Sequence, residues 1–362
     1  MNKFNLPSPV VVIDLDIVDR NINRVANEAK KANVNMRPHV KTHKSIYFAK
    51  KQLAAGAKGI SVAKISEAEV MVEYGMDDIL IAYPIVGTEK ALRLKKLHER
   101  IKVMTILDSL EIANNLAQVG NAERPLPVLI EIDTGLHRGG CLPGEDALKL
   151  AQKVNEYEGL SVCGVFTYNG LLRLSKSRAE LEERAELEVK MLCETAKLFE
   201  KNGIQVSVIS GGSTPSIAVL NKYSNITEIR SGNYIFYDLS AMSLGLASLE
   251  DCALRVLATV ISVPSSGAAI IDAGTKTLTS DLSKFEGYGR VIGMDDVTIV
   301  KLNEEHGFLT YNPAIRQLKI GDRIEIVPNH SCTLSNLCDF TYGIRGDEFV
   351  QRIPVEARGK NY

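Results

Sequence analysis

The chain has no tryptophan, and only 6% of its 362 residues are aromatic. It holds no run of about 18 apolar residues, so no membrane-spanning helix is expected. The opening stretch MNKFNLPSPVVVIDLD has a short apolar run broken by Asp14 and Asp16, unlike a secretory signal. Neither sign of charge is in excess: the net value of −1 gives no basis for non-specific binding to nucleic acid or anionic membrane. The six cysteines follow no repeating spacing, which fits reduced thiols in the cytoplasm better than a disulfide framework. There is no internal repeat, low-complexity tract or Gly/Ser linker. What remains is an ordinary soluble globular composition, 45% apolar and 24% charged, with length for one large domain and a smaller one.

Short apolar runs alternate with helical patterns along most of the chain. VNMRPHV, GISVA, DDILIAYPI, IKVMTIL, PLPVLIEID, LSVCGVFTY, VSVISGG and ITEIRSGNYIFYD are strand candidates. They are rich in Val and Ile, apolar on both faces, and separated by amphipathic segments, as buried parallel strands are. Eight such units predict a (β/α)8 barrel, with a doubly wound sheet as the competing arrangement. Gly75 and Gly203 follow periodic segments at the point where a left-handed helix end is wanted. DLDIVDRNINRVANEAKKAN, with Val18, Ile22, Val25 and Ala29 on one face, predicts a helix before the first barrel strand.

From about residue 250 the pattern becomes all-β. ALRVLATVISVPSSGAAIIDAG, VTIVKLNEEHGFLTYN and IGDRIEIVPN cluster β-formers around short turns. The expected organisation is a barrel over residues 9–245 and a C-terminal β domain over 246–362, with residues 1–8 joining the latter.

Barrel chemistry sits at the C-terminal ends of the strands. Those ends carry Lys41, His43, Lys64, Tyr83, Asp108, Asp133, Arg138, Tyr168, Asn169, Gly211, Gly212, Ser213, Arg230, Gly232, Asn233 and Tyr234. The seventh and eighth ends, SGGSTPS and RSGNY, are where barrels bind phosphate through exposed N–H groups and hydroxyls, glycine allowing close approach. Lys41, in MRPHVKTHKS, would face that phosphate site from the first strand. A buried lysine of lowered pKa can form a Schiff base with an aldehyde, and pyridoxal phosphate joins an aldehyde to a phosphate. The same cluster of His39, Lys41, His43 and Lys44 also suits a solvated, helix-capping surface.

Barrel followed by β domain resembles the alanine-racemase-like class of pyridoxal-phosphate enzymes. RPHVKTHK together with PNHSCTLSNLCD is similar to the D-threonine aldolase and D-serine dehydratase family, with DTGLHRGG and IRSGNYIFYD in support. The resemblance spans nearly the whole chain and implies the fold, the cofactor and several roles. Lys41 matches the Schiff-base lysine, with Lys44 as the alternative. Arg138 resembles the arginine on the cofactor's phenolic oxygen. Gly212, Ser213, Gly232 and Asn233 would hold the phosphate, and Arg230 or Tyr168 would face the pyridine nitrogen.

His330 and Cys332 stand two apart and point to one side of an extended segment. Alone, such a pair is a common coincidence; the resemblance makes it a metal-binding pair. Imidazole and thiolate favour Zn2+ over Mg2+ or Mn2+. His306 is expected in a turn and Cys338 in packing. A metal there would activate a β-hydroxyl, giving a lyase on D-3-hydroxy amino acids. Dehydration to keto acid and ammonia competes with retro-aldol cleavage to glycine and an aldehyde. Aldolase-type members resemble a His/carboxylate pair at this site, so Cys332 points to dehydration. A racemase, with Tyr288 as second base, and a non-catalytic cofactor carrier are the other readings. D-Serine, D-threonine and D-3-hydroxyaspartate stay open as substrates; Arg173 and Lys176 could meet a second carboxylate or form a solvated face. The resemblance also implies a homodimer with shared active sites.

Overall fold

The computed structural model describes residues 1–362 as two compact units. One comprises Arg24–Lys41, Phe48–Gly232 and Gly359–Tyr362; the other comprises Met1–Asn23, Thr42–Tyr47 and Asn233–Arg358. No helix is long and apolar enough to cross a membrane, and all six cysteines are free thiols.

Strand β1 (Val10–Asp14) and helix α1 (Leu15–Lys31) come first. Val18, Ile22, Val25 and Ala29 of α1 are all buried, as their spacing predicts. Eight parallel strands follow: β2 (Asn35–Met36), β3 (Ile60–Val62), β4 (Asp78–Pro84), β5 (Lys102–Leu107), β6 (Leu126–Glu131), β7 (Leu160–Phe166), β8 (Val208–Gly211) and β9 (Glu228–Ile229). They hydrogen-bond in the order β2-β9-β8-β7-β6-β5-β4-β3. A parallel bridge from His39 to Ser61 links the two ends of that order and completes the ring. This is the predicted TIM-type barrel. Leu80, Ile106, Leu129, Phe166 and Val208, from five successive strands, pack as one cluster with Tyr168 against it.

Between the strands run α2 (Ile46–Ala54), α3 (Ile65–Glu73), α4 (Thr88–Arg100), α5 (Leu110–Leu116), α6 (Glu145–Val154) and α7 (Arg178–Lys201). The segment between β8 and β9 is not an α-helix: Thr214–Tyr223 is 3-10, broken at Val219 with φ −125° and ψ 33°. Pro215 lies in its first turn, where a missing N–H costs nothing.

The second unit adds β10 (Leu254–Ser265), β11 (Ala268–Ile271), β12 (Arg290–Val291), β13 (Thr298–Leu302), β14 (Gly307–Thr310), β15 (Arg323–Val327), β16 (Phe340–Arg345) and β17 (Glu348–Pro354). The long β10 pairs with β15 along its first half and with β11 along its second, so the order β11-β14-β13-β12-β15-β10 closes on itself. The expected boundaries shift here. β1 is not barrel structure; it pairs antiparallel with β10 and parallel with β16. Asn233 onward also groups with the β unit rather than residue 246 onward. Val11, Val12 and Ile13 are buried with ladder partners on both edges, and such an apolar run reads alike in either kind of sheet.

Within the barrel, fully buried Arg37 donates from Nε to Glu228 at 2.8 Å and from Nη1 to Asp78 at 2.5 Å. Removing one member of such a buried pair costs about 3–5 kcal/mol, because the partner charge is stranded. Arg37→Ala should therefore lower the melting temperature sharply, while Arg37→Met combined with Glu228→Gln should recover much of the loss; circular dichroism melts of both variants check this.

Candidate active site

Lys41 lies in the 3-10 turn Val40–Thr42 that follows β2. Its Nζ is 5.8 Å from the centroid of the Tyr168 ring, and Arg138 Cζ is 4.5 Å from the same centroid. The lysine is exposed rather than buried, because the turn lifts it to the rim of the barrel. Lys44, the alternative, is buried in the other unit with Nζ on the Ala357 carbonyl at 3.4 Å, where it secures the C-terminal segment instead of facing a ligand. Arg138 also lies 3.9 Å from Glu131. Burial pushes the Glu131 carboxyl up, with Arg138 pulling it back.

Arg230 is buried beneath these residues. Its guanidinium stacks on the Phe166 ring at 3.8 Å, and it donates to Ser210 Oγ at 2.7 Å and to the Thr167 carbonyl. Burial brings it down to about 10, against the opposing pull of Glu228, Glu188 and Glu131. The two residues expected near the pyridine nitrogen, Arg230 and Tyr168, therefore belong to one packed cluster.

The glycines of the turn after β8 predict backbone N–H groups free for a phosphate. Gly212 has φ +72°, and a Cβ there would lie 2.9 Å from Ile229 Cγ2, so glycine is required. Its N–H is already donated to Glu188 Oε1 at 2.7 Å, and the Ser213 N–H to Ser216 Oγ at 2.9 Å. What the turn offers instead is the Ser213 hydroxyl. The Ser216 N–H donates to the Ser213 carbonyl at 3.0 Å, and the buried Ser213 Oγ has no hydrogen bond of acceptable geometry. An orphaned buried hydroxyl beside a glycine cradle fits an anionic oxygen. Gly211, Gly232 and the buried Arg230 complete this end of the barrel unit.

In the β unit, His330 Nδ1 lies 2.9 Å from Asp238 Oδ2. Asp238 is fully buried. It also accepts from Ser331 N–H and Ala241 N–H, each at 2.9 Å, and from Asn233 Nδ2 at 2.8 Å. Burial alone would raise this carboxyl; the His330 contact and the N–H donors outweigh it and hold it below the ordinary range. His330 hydrogen-bonds to Cys332 as well. Burial works against charge on both, yet their mutual attraction raises the imidazole and lowers the thiol. Cys332 Sγ shares a hydrogen bond of 3.3 Å with Thr42 Oγ1, and Thr42 is the residue after Lys41. No three His, Cys, Asp or Glu side chains are grouped to hold a metal. The donors that fit one are the His330–Cys332 pair, an N/S set of the kind zinc takes.

Tyr234 is buried in the 3-10 turn Asn233–Ile235, Tyr288 is half-buried with its N–H on the Ile299 carbonyl, and His306 is exposed between β13 and β14. Arg173 and Lys176 are exposed. Two residues escaped the sequence reading. Glu188 falls on the apolar stripe Leu181, Ala185, Leu192, Phe199 of α7, so its position on that face was the available signal. Asp238 caps the short helix α8 (Leu239–Met242), and a cap needs no further explanation in a sequence.

Burial raises the Glu188 carboxyl from 4.5 to about 7. Between those values the folded chain keeps a proton that the unfolded chain has released, so this group's contribution to stability falls as pH rises through that window. Glu188→Gln should flatten that part of the curve; melting temperatures of both proteins from pH 4 to 8 check it.

Residues 13–240 match the family model of the alanine racemase N-terminal domain, and 253–344 match a putative serine dehydratase domain. The D-threo-3-hydroxyaspartate dehydratase of Delftia sp. (strain HT23) is 34% identical over 91% of this chain and 92% of its own. The D-threonine aldolase structure from Filomicrobium marinum superposes with TM-score 0.92 at 31% identity, covering 99% of this chain and 98% of that one. A D-threo-3-hydroxyaspartate dehydratase solved as a cysteine-to-alanine mutant in the metal-free form gives TM-score 0.90 at 32% identity, over 98% of each chain. With the barrel, the β unit and both family models in agreement, the chain belongs to the alanine-racemase-like family, in the branch that carries a serine-dehydratase-type C-terminal domain.

Proposed function

We propose that this protein is a pyridoxal-phosphate- and divalent-metal-dependent lyase that removes water from D-3-hydroxy amino acids. One observation carries the reading. Cys332, paired with His330, is tied at 3.3 Å to Thr42, the immediate neighbour of Lys41. The residue that follows the reactive amine in the chain is thereby bonded to one of the two donors suited to zinc. The names of the relatives support a lyase acting on D-amino acids, and the metal-free form of one of them supports a metal.

When bound, the cofactor supplies an electron sink that acidifies the substrate's α-hydrogen, and the metal supplies a Lewis acid for its β-hydroxyl. Lys41 would hold the cofactor and then, freed by the substrate amine, accept the α-proton. Arg138 and Tyr168 would position the ring beside Lys41. Ser213, with Gly211, Gly212 and Gly232 of the same unit, would hold the phosphate. Arg230, as a guanidinium, or Tyr168, as a neutral donor, would face the pyridine nitrogen. His330 and Cys332 would hold the metal, and Asp238 fixes the imidazole so that its other nitrogen is available. The net reaction converts the hydroxy amino acid to a keto acid and ammonia. The thiolate donor favours this outcome over retro-aldol cleavage. Free cysteines support a reducing, cytoplasmic setting, and we take the working form to be a homodimer, testable by sedimentation.

Purified protein incubated with D-serine, D-threonine and D-3-hydroxyaspartate should release keto acid and ammonia with added zinc and lose that turnover with chelator. Glycine plus aldehyde would mark cleavage instead, and chelator-insensitive racemisation would overturn the lyase assignment. Lys41→Ala should abolish the visible absorbance of the bound cofactor. Asp238→Asn should weaken zinc binding about 10–100-fold, the usual cost of losing the carboxylate behind a ligating histidine, as read by competition with a chromophoric chelator.

A further inference from the structure

The Gly211–Ser213 turn is backed by a carboxyl group to which the mechanism assigns no role. Glu188 is 0% exposed in the middle of the buried face of α7. Oε1 accepts the Gly212 N–H at 2.7 Å, and Oε2 accepts the Tyr223 hydroxyl at 3.2 Å. The Asn169 side chain bonds to it as well. Tyr223 in turn accepts from Ser216 Oγ at 2.9 Å, and Ser216 Oγ accepts the Ser213 N–H at 2.9 Å. An unbroken relay therefore runs from Glu188 through Tyr223 and Ser216 to the backbone of the residue whose hydroxyl is orphaned. Ser231 Oγ holds the Ser213 carbonyl from the other side at 2.7 Å. The fit is close: a Cβ on Gly211 would stand 2.8 Å from Glu188 Oε1.

A carboxyl group is an unfavourable choice for this position on packing grounds. Burial is costly for it, and no cation bonds to it directly. Arg230 acts on it only through the field, and the facing Tyr223 is neutral. A leucine would complete the apolar face of α7 but could not accept the Gly212 N–H or steer Tyr223.

We propose that Glu188 is a positioning residue that holds the Gly211–Ser213 turn in the one conformation that presents Ser213 Oγ to the cofactor's phosphate. This rests on reading that turn as the phosphate site. Glu188 itself does not touch the phosphate; its effect reaches the anion through the turn.

The test compares apo-protein binding of pyridoxal phosphate with that of pyridoxal, which lacks the phosphate, alongside the 31P resonance of bound pyridoxal phosphate. Glu188→Leu should weaken pyridoxal phosphate about tenfold, the scale of one misplaced hydrogen bond to an anion, and leave pyridoxal within about twofold. Its 31P signal should shift toward that of the free cofactor. Glu188→Gln, whose amide oxygen can still accept the Gly212 N–H, should stay within about threefold of wild type. Equal losses for both ligands, or none in a folded variant, would overturn the proposal. If Glu188→Leu fails to fold, Tyr223→Phe cuts the relay alone: a selective loss of about threefold supports the proposal and no selective loss overturns it. Wild-type protein that binds the two ligands equally would refute the phosphate-site reading itself, before any variant is compared.

Discussion

The buried carboxylate of Asp238 is the constraint from which the rest of the site follows. A carboxylate with no solvent must be saturated by donors or it destabilises the fold by several kcal/mol. Here the donors are His330 Nδ1, the N–H groups of Ser331 and Ala241, and the Asn233 amide. Meeting that requirement sets the tilt of the His330 ring. It also holds Ser331 so that Cys332 comes next to the imidazole, and Cys332 in turn bonds to Thr42. Within the β unit, adjacent hydrogen bonds thus join Asp238, the His330–Cys332 pair and Thr42.

Asp238 and Glu188 show how one environment can give opposite results. Each is fully buried, and in each burial is the largest influence and acts upward. Asp238 still ends low because an imidazole that gains its own proton stands beside it. Glu188 ends high because its partners, an amide N–H, a phenol and a side-chain amide, are neutral. One group is thereby a fixed anion suited to orienting a cationic or metal-bound ring. The other is held above the ordinary carboxyl range by burial among neutral partners.

Much of the architecture was legible in the sequence because periodicity reports burial. All eight barrel strands and the helix over Leu15–Lys31 follow from apolar spacing alone, and the β hairpin across Ser265–Ala268 from its Ser-Gly turn. Partnership was not legible. Val10–Asp14 reads as a buried strand, yet nothing in five apolar-rich residues says which sheet will accept it. The exposure of Lys41 was missed because a short turn, not a strand, carries it. The His330–Cys332 pair could be picked out only by resemblance, whereas Asp238 and Glu188 act over separations of 92 and 24 residues from the groups they hold. Single-sequence spacing does not encode contacts of that range.

If His330 and Cys332 together hold a divalent metal, X-ray absorption at the zinc edge of the zinc-loaded protein should show a mixed shell, with one sulfur at about 2.3 Å and nitrogen or oxygen at about 2.0–2.1 Å. The sulfur should vanish in Cys332→Ala. A shell of nitrogen and oxygen alone in the unaltered protein would rule the pair out.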